Sequence, residues 1–472
     1  MTKPIVALRL RQLLVVTVVL LTVEGVLRKL APGLGVPIFL MKDVLVMLMA
    51  YYIAQATPNP AVGFLWTAYK ALIVLFIPVF INTALHDPLL AIFGAKQYLL
   101  YPLVAFATVH GFANQRARDI LLFYRLMALL IIPTGVFAAI QFRLPTDHWL
   151  NMSVSGESLA GFSASGKLRV SSTFSFVAQY CAFLNAMAFI ILIALHGWKE
   201  QSKFWKLAGL ALIPFLVFSC FITGSRTAVA GNLAILLMAG LLALVRFKIR
   251  NVVQVSLVAM LLYLSMLAVT YFSPDSTAVY SAREQGKMIG FSSEIQDRIF
   301  GSFFVSQDDR LMSFLGYGAG TMSNGAETFS PYAANLRIMG WTETDFSLTL
   351  FEGGFYLVLV WYGFRGFVIL ATTFRFAQGV AEEYVIPMAF TQGFIIVLGA
   401  ISTLGNQPPI AIWWWFGVGT SILFWWKSQG PKEVDIPTED LLPALVRRTP
   451  GRSLYANALH ARKSSGKSSK SP

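Results

Sequence analysis

The chain contains 472 residues, of which 56% are hydrophobic and 13% are charged, and its mean hydropathy is +0.65. An ordinary soluble domain has about a quarter charged residues, so this composition excludes a soluble globular protein. The formal net charge is +14 at pH 7, with many of the basic residues close to the C-terminus. We interpret this charge as a determinant of membrane topology and not as a nucleic-acid-binding surface.

Apolar runs recur along the chain, with the length of about 20 residues that crosses the hydrocarbon core of a bilayer. They predict an all-α, polytopic integral membrane protein with about twelve transmembrane helices. The predicted spans start near Leu13, Val36, Val62, Leu89, Ile120, Phe176, Phe204, Thr227, Val252, Phe346, Val385 and Pro409. Glu24, Arg28 and Lys29 follow the first run where a signal peptide would have a small-residue cleavage site, so we expect an uncleaved first span.

Lysine and arginine residues are concentrated in alternate loops. If the N-terminus is cytoplasmic, the cytoplasmic loops contain Arg116, Arg118, Lys199, Lys203, Lys206, Arg246, Lys248, Arg250 and Arg375. The positive-inside rule therefore predicts an even number of spans and two cytoplasmic termini. Residues 1–427 are predicted to form one membrane domain. Residues 428–472 are predicted to be a basic, Ser-rich cytoplasmic tail with the composition of a disordered segment.

The same orientation puts two hydrophilic segments outside, at about residues 143–175 and, between the ninth and tenth spans, at about residues 273–344. The longer segment contains Arg283, Lys287, Arg298, Arg310 and Arg337. The positive-inside rule is weak for loops beyond about 60 residues, but so many exported cations need an explanation. We interpret them as a binding surface for an anionic substrate.

The segment Thr223-Gly224-Ser225-Arg226-Thr227-Ala228 separates two apolar runs and puts Arg226 at or near the outer membrane boundary. An arginine inside a membrane is costly and usually faces a cavity or a partner. Its guanidinium fork fits two oxygens of a phosphate, and Gly224 and Ser225 allow backbone and hydroxyl donors to approach the same anion. The alternative is a topological arginine that ends a very short hairpin.

A second segment, residues 315–321, has the sequence Leu-Gly-Tyr-Gly-Ala-Gly-Thr. Its glycines permit tight turns and close backbone approach, but the strand and helix of a dinucleotide-binding fingerprint are missing around it.

The acidic pair Asp308-Asp309 is interpreted as a solvated turn, and Cys181 and Cys220 lie in apolar runs. We therefore expect no metal site and no cofactor.

Charged residues also occur within the predicted spans, at Glu24, Lys42, Asp43, Lys70, Lys96 and Glu352. Such residues are functional candidates by default in a membrane. Internal ion pairs, such as Glu24 with Lys42 or Asp43 with Arg28, would instead satisfy them structurally. Trp413–Trp415 and Trp425–Trp426 bracket the last span and are interpreted as interfacial aromatic belts.

Taken in order, these motifs resemble the O-antigen ligase and polymerase superfamily. The resemblance rests on an arginine after Gly-Ser at a span boundary, a long outer loop with a Gly-Tyr-Gly-x-Gly turn, and a polar triplet that enters a span with Glu-Gly-Gly. The third element is Glu343-Thr344-Asp345 followed by Phe351-Glu352-Gly353-Gly354. The stretches at residues 24–29, 42–43, 169–174 and 298–303 resemble its exopolysaccharide-polymerase branch. The resemblance covers roughly residues 13–427 in architecture.

The resemblance implies a metal-independent, inverting glycosyl transfer on the outer face of a bacterial cytoplasmic membrane. The donor would be an undecaprenyl-pyrophosphate-linked glycan and the acceptor a second glycan, with a chain-length regulator or export machinery as further partners. Family ligases have a histidine near the end of the long loop; here Glu343 occupies the nearest position, with Asp345 two residues on. This substitution favours a polymerase over a ligase, with Glu343 or Asp345 as the catalytic base.

Under this hypothesis Arg226 and Arg298 bind the donor pyrophosphate, assisted by Gly224 and Ser225, and Arg310 and Arg169 are further candidates. The main rival is a polytopic transporter or flippase of lipid-linked glycans or other anionic substrates, since about twelve spans with buried charges also fit that class. Transporters often contain repeated halves, and the sequence has no obvious internal repeat.

Overall fold

The computed structural model describes residues 4–154, 156, 163–164, 167–195, 203–245, 249–285, 314–338 and 344–429. Its helices are α1 (Pro4–Leu30), α2 (Gly35–Gln55), α3 (Gly63–His86), α4 (Pro88–Leu99), α5 (Leu103–Phe112), α6 (Ala117–Leu129), α7 (Ile131–Arg143), α8 (Val177–Leu195), α9 (Lys203–Ile222), α10 (Arg226–Val245), α11 (Ile249–Phe272), α12 (Pro274–Gln285), α13 (Pro331–Ile338), α14 (Asp345–Gln378), α15 (Val385–Ile401) and α16 (Pro408–Ser428). Two short strands, β1 (Ser163–Ala164) and β2 (Lys167–Leu168), pair antiparallel. These elements belong to one packed unit, Met1–Gly430.

The protein is an all-α polytopic membrane protein, as predicted. Nine helical segments of the described residues are long and apolar enough to cross a membrane, and the pair α4–α5, bent by 44°, makes a tenth. Each of the twelve predicted span starts lies within a helix or one residue before it. Helices α9 and α16 account for the difference between ten and twelve, and the exact number of spans stays a prediction. Of the predicted tail, all but residues 428 and 429 lies outside the described residues.

The surface and the interior of the bundle are both apolar. Large hydrophobic side chains such as Leu85 (80% exposed), Leu359 (70%) and Leu370 (70%) point outward, which is typical of a lipid-facing surface. Helix α8 is buried nearly all round and packs against α6, α9, α10, α15 and α16. A helix that is apolar on every face and enclosed by others is a central helix, so α8 lies at the centre of the bundle.

The three tryptophans in the first half of α16 contradict the belt interpretation. Trp413, Trp414 and Trp415 are each 0% exposed, and the Trp414 indole N–H donates to the Ile395 carbonyl at 2.9 Å. The prediction of an interfacial belt at these three positions is therefore wrong. They fill the contact between α16 and its neighbours, where aromatic side chains bury a large apolar area.

Helix α14 is folded back on itself. Gly353 (φ −134°, ψ 16°) and Gly354 (φ 60°, ψ −164°) have non-helical backbones. In one straight helix Asp345 and Arg365 would lie about 30 Å apart, yet their side chains form an ion pair. Residues 345–352 are therefore a short helix antiparallel to residues 355–378. The span that was predicted to start near Phe346 lies in this helix, and the longer of its two parts is the one after the break, residues 355–378.

Candidate functional site

The end of α1 packs directly against the segment 169–175. A Cβ atom on Gly25 would overlap the backbone of Phe174 and Ser175, so only glycine fits there without a shift of the backbone. The Val26 amide donates to the Thr173 carbonyl at 3.2 Å, and Arg28 Nη1 donates to Ser175 Oγ at 3.3 Å. Two stretches that carry the family resemblance thus meet in space.

Five charged side chains of α1, α2 and α4 form what we call the charge cluster: Glu24, Arg28, Lys42, Asp43 and Lys96. Lys42 Nζ lies 3.1 Å from Glu24 Oε2, which confirms that predicted pair. The predicted pair of Asp43 with Arg28 is wrong. Asp43 binds Lys96 at 2.9 Å instead, and Arg28 lies 3.6 Å from Glu24.

The charge cluster is almost dry. The side chains of Lys42, Glu24 and Asp43 are 0–3% exposed, and those of Lys96 and Arg28 are 16% and 20% exposed. The Tyr101 hydroxyl donates to Asp43 at 2.7 Å. Burying a charge costs several kcal/mol of desolvation free energy. Removing one partner of a buried ion pair destabilises a protein by about 3–5 kcal/mol. Such groups persist in a membrane where they pair or serve a function, and this cluster pairs most of its charge.

The predicted arginine turn joins α9 to α10. Gly224 has φ +57° and its amide donates to the Phe221 carbonyl at 3.0 Å, which is how glycine ends a helix. The Thr223 hydroxyl accepts from the Ser225 amide at 3.0 Å. Arg226 is the first residue of α10, and the N-terminus of a helix is the positive end of its dipole, where anions are favoured.

Arg169 lies near the same turn, because its charge acts on the residue of α8 that the turn contacts. The Cys181 thiol in α8 interacts with the Ser225 and Thr223 side chains and with the charge of Arg169. We call Arg169, Gly224, Ser225 and Arg226 the outer arginine site, after the side of the membrane on which the sequence predicts them. The structure places Ser225 and the charge of Arg169 near one residue of the central helix, and Gly224 and Arg226 flank Ser225 in the chain.

The segment that carries Arg169 is held in an unusual conformation. Ser172 has φ +54°, a region that non-glycine residues seldom occupy and that costs about 1–3 kcal/mol. Its buried hydroxyl donates to the Thr134 carbonyl in α7 at 2.6 Å. The surrounding helices therefore fix this segment between α1 and α8, with Arg169 at one end and Ser175 at the other.

The glycine segment 315–321 docks on the break in α14. The Tyr317 amide donates to the Phe351 carbonyl at 2.9 Å and the Gly318 amide to the Glu352 carbonyl at 2.7 Å. The Ala319 amide donates to Thr83 Oγ1 at 2.8 Å. Because protein acceptors occupy these amides, the segment is a packed connection and not a loop that cradles phosphates.

Glu352 lies beneath this segment and is 0% exposed. Its carboxylate accepts from the Tyr98 hydroxyl at 2.8 Å and from the Met322 amide at 3.1 Å. A buried carboxylate needs such donors. Through these hydrogen bonds Glu352 links α14 to α4 and to the residues at the end of the glycine segment.

The residues that follow the glycine segment, 322–338, contact the turn between α3 and α4. The Ser330 hydroxyl bonds to Asp87 and, with the Leu89 and Leu90 amides, holds the pKa of that half-buried carboxyl below its ordinary value. The rings of His86 and Tyr332 stack at 4.8 Å. Arg337, one of the exported cations predicted to bind an anion, pairs with Glu327 at 2.6 Å.

Asp345, one of the two predicted bases, is 4% exposed and fully engaged. Its Oδ2 accepts from Arg365 and, at 3.2 Å, from the Tyr362 hydroxyl, while Oδ1 accepts from the Gly405 amide at 3.1 Å. Arg365 also donates to the Gly399 carbonyl. This arrangement ties the start of α14 to the loop between α15 and α16.

Three predicted site residues, Glu343, Arg298 and Arg310, lie outside the described residues, as do Asp308 and Asp309. Within the described ranges, no group of three or more His, Cys, Asp or Glu side chains is arranged to hold a metal ion.

Sequence reasoning missed several members of the site. Arg365 interrupts the apolar run after Gly354, and a charge there is a signal that was available. Tyr98, Thr83 and Ser175 gave no such signal, because a hydroxyl in or beside an apolar run is common.

Comparison with known proteins adds no further assignment, since no protein-family model and no curated protein matches the chain.

Proposed function

We propose that the protein joins undecaprenyl-pyrophosphate-linked oligosaccharide units into a surface polysaccharide, by inverting and metal-independent glycosyl transfer on the outer face of a bacterial cytoplasmic membrane. The observation that carries the proposal is the outer arginine site, where Arg169 and the turn 224–226 converge on α8. An arginine at the first position of a helix, with the charge of a second arginine near the same turn, is suited to a pyrophosphate. We infer the identity of that anion from the order of the motifs, which resembles that of polysaccharide polymerases.

In the proposed reaction, the acceptor hydroxyl oxygen attacks the anomeric carbon of the donor sugar. The bond from that carbon to the pyrophosphate oxygen breaks, and the lipid pyrophosphate leaves with the electron pair. The acceptor proton passes to a carboxylate. Because the leaving group is already good, cations that hold its charge and a correctly positioned base supply most of what catalysis needs.

We assign the base role to Glu343 and a positioning role to Asp345. Both oxygens of Asp345 accept hydrogen bonds within the protein, which leaves its carboxylate little capacity for a substrate proton. Its ion pair with Arg365 instead fixes the start of α14, two residues after Glu343. Arg298 and Arg310 in the long outer segment are assigned to the donor, and the acceptor is a second lipid-linked glycan.

The test is turnover by the purified full-length protein supplied with its native lipid-linked oligosaccharide, with and without EDTA. Longer lipid-linked glycans are expected in both conditions, and neither Arg226→Ala nor Glu343→Gln is expected to form them. Arg337→Ala is the matched control, because this exported arginine pairs locally with Glu327. Wild-type turnover by Arg226→Ala would contradict the role of Arg226 in binding the donor pyrophosphate. Loss of turnover in EDTA would contradict the metal-independent reaction.

A transporter of the same lipid-linked glycans is the second candidate. Broken helices near a substrate site are a feature of transporters, and both the α4–α5 bend and the break in α14 are of this type. Liposomes that contain the protein distinguish the two candidates. Glycans that cross the membrane without becoming longer would favour transport and would reduce the arginines to a binding site.

A further inference from the structure

The charge cluster carries one positive charge more than it can neutralise. Lys42 is matched by Glu24 and Lys96 by Asp43, and Arg28 is the surplus cation. All three cations also surround one ring, with Lys42 Nζ 3.6 Å, Arg28 Cζ 5.3 Å and Lys96 Nζ 5.8 Å from the centroid of Phe39. Burying an unmatched cation is expensive, so an anion at this place would be strongly favoured.

Among the residues that the structure describes, the guanidinium of Arg28 has unused donors. Within those ranges its Nη1 makes only long contacts, 3.6 Å to Glu24 and 3.3 Å to Ser175, and its buried Nε has no hydrogen-bond partner. Lys42, by contrast, donates to both Glu24 oxygens and to the Phe39 carbonyl. A planar fork with free donors matches two oxygens of a phosphate.

Arg28 is the member of the ion-pair group around Glu24 that keeps access to the surroundings, with a side chain 20% exposed against 0% for Lys42. The neighbouring helix α2 presents Val36 (69% exposed), Met41 (46%) and Val44 (48%) on its outward face, away from the buried Lys42 and Asp43. Exposed apolar side chains of a membrane helix face acyl or isoprenyl chains. Because lipid surrounds this part of the bundle, an anion that reaches the exposed fraction of Arg28 would be the head group of a lipid-linked molecule.

We propose that Arg28, with Ser175, forms a second site for an isoprenyl pyrophosphate, which holds the acceptor substrate while the outer arginine site holds the donor. This assignment rests on the proposed function, because only a polymerase joins two substrates that both carry the lipid pyrophosphate. Arg169 and Ser175 are six residues apart, a reach of at most about 20 Å. Two substrates bound at the ends of this segment meet over it.

The experiment counts bound radiolabelled farnesyl pyrophosphate on the full-length protein in phosphatidylcholine nanodiscs. We expect two bound molecules on the wild type and one on Arg28→Gln, with the affinity of the altered site lowered about ten- to a hundredfold. Arg28→Gln leaves two matched ion pairs and is expected to fold. Arg28→Lys keeps the charge without the fork and is expected to weaken the same site. Lys29→Gln is the matched control, since Lys29 donates to the Leu150 carbonyl.

The outcomes separate this site from the proposed function. Two molecules retained by Arg28→Gln, or equal loss in Lys29→Gln, would overturn the proposal. Displacement from this site by phosphatidylglycerol as effective as by farnesyl pyrophosphate would make it an ordinary phospholipid site and would also overturn it. If Arg226→Gln loses the other molecule and Arg28→Gln this one, both sites stand. A wild type that binds two molecules but never extends a glycan would refute glycosyl transfer without touching the second site.

Discussion

The fold of α14 depends on the ion pair between Asp345 and Arg365, which are 4% and 1% exposed. Replacing Arg365 by leucine leaves the Asp345 carboxylate buried with two weaker donors, the Tyr362 hydroxyl and the Gly405 amide. Breaking a buried pair in this way costs about 3–5 kcal/mol. We therefore expect Arg365→Leu to lower the free energy of unfolding by that amount, measured by reversible denaturation in mixed detergent micelles.

The matched variants decide whether the pair itself carries this energy. Asp345→Leu combined with Arg365→Leu removes both charges, and it is expected to recover most of the loss, because apolar residues of similar volume often replace a buried pair at little cost. A coupling energy close to zero in this double-mutant cycle would refute the folded-back arrangement of α14, since two side chains about 30 Å apart do not couple.

Asp345→Asn should keep part of the turnover that Glu343→Gln abolishes. Complete loss in Asp345→Asn with normal stability would return the base role to Asp345.

Three further predictions concern the backbone and the turn between α3 and α4. Gly354→Ala puts a side chain at φ 60°, ψ −164° and should cost about 1–3 kcal/mol of unfolding free energy, whereas Gly363→Ala, which meets no atom within 4 Å, should not. Gly25→Ala should disrupt the contact with segment 169–175 and reduce the yield of folded protein, while Gly33→Ala, also in open space, should leave it unchanged. Because the pKa of Asp87 is lowered in the folded protein, its stabilising contribution is present above the ordinary pKa of an aspartate and is lost as the pH falls through the folded value. Asp87→Asn should therefore flatten the acid limb of the thermal-stability profile, and an unchanged acid limb would contradict this assignment.

The membrane class and the approximate positions of the helices could be predicted because both follow from local properties of the sequence. An apolar run long enough to cross a bilayer must satisfy its backbone as a helix, whatever its neighbours are. The pairing of Glu24 with Lys42 could also be predicted, because α1 and α2 are consecutive and a short turn joins them. Asp43 shows the limit of that reasoning. Its partner Lys96 lies on α4, more than 50 residues away, and no local pattern selects it over Arg28.

The break in α14 could not be predicted from the same patterns. Glu352-Gly353-Gly354 was interpreted as a motif that enters a span, and two glycines in an apolar run are compatible with a continuous membrane helix. What decides the reversal is tertiary. The backbone of Gly316 lies against Gly353 and Gly354, and Arg365 supplies the counter-charge for Asp345. The belt interpretation of Trp413–Trp415 failed for a similar reason, since tryptophan suits both an interface and a helix contact.

The stretch 96–101, which includes the break between α4 and α5, connects the two halves of the site. Lys96 and Tyr101 bind Asp43 on α2, and Tyr98 binds Glu352 on α14. The two carboxylates belong to different halves of the chain, so this stretch fixes the charge cluster relative to the glycine segment and to the residues that follow Glu343. Substitutions of Tyr98 or Tyr101 would therefore reduce activity by moving the binding residues, with a parallel loss of stability. Substitutions of Arg28, Arg226 or Glu343 act on substrate in our proposal, and a loss of binding or turnover at unchanged stability is the property that distinguishes them.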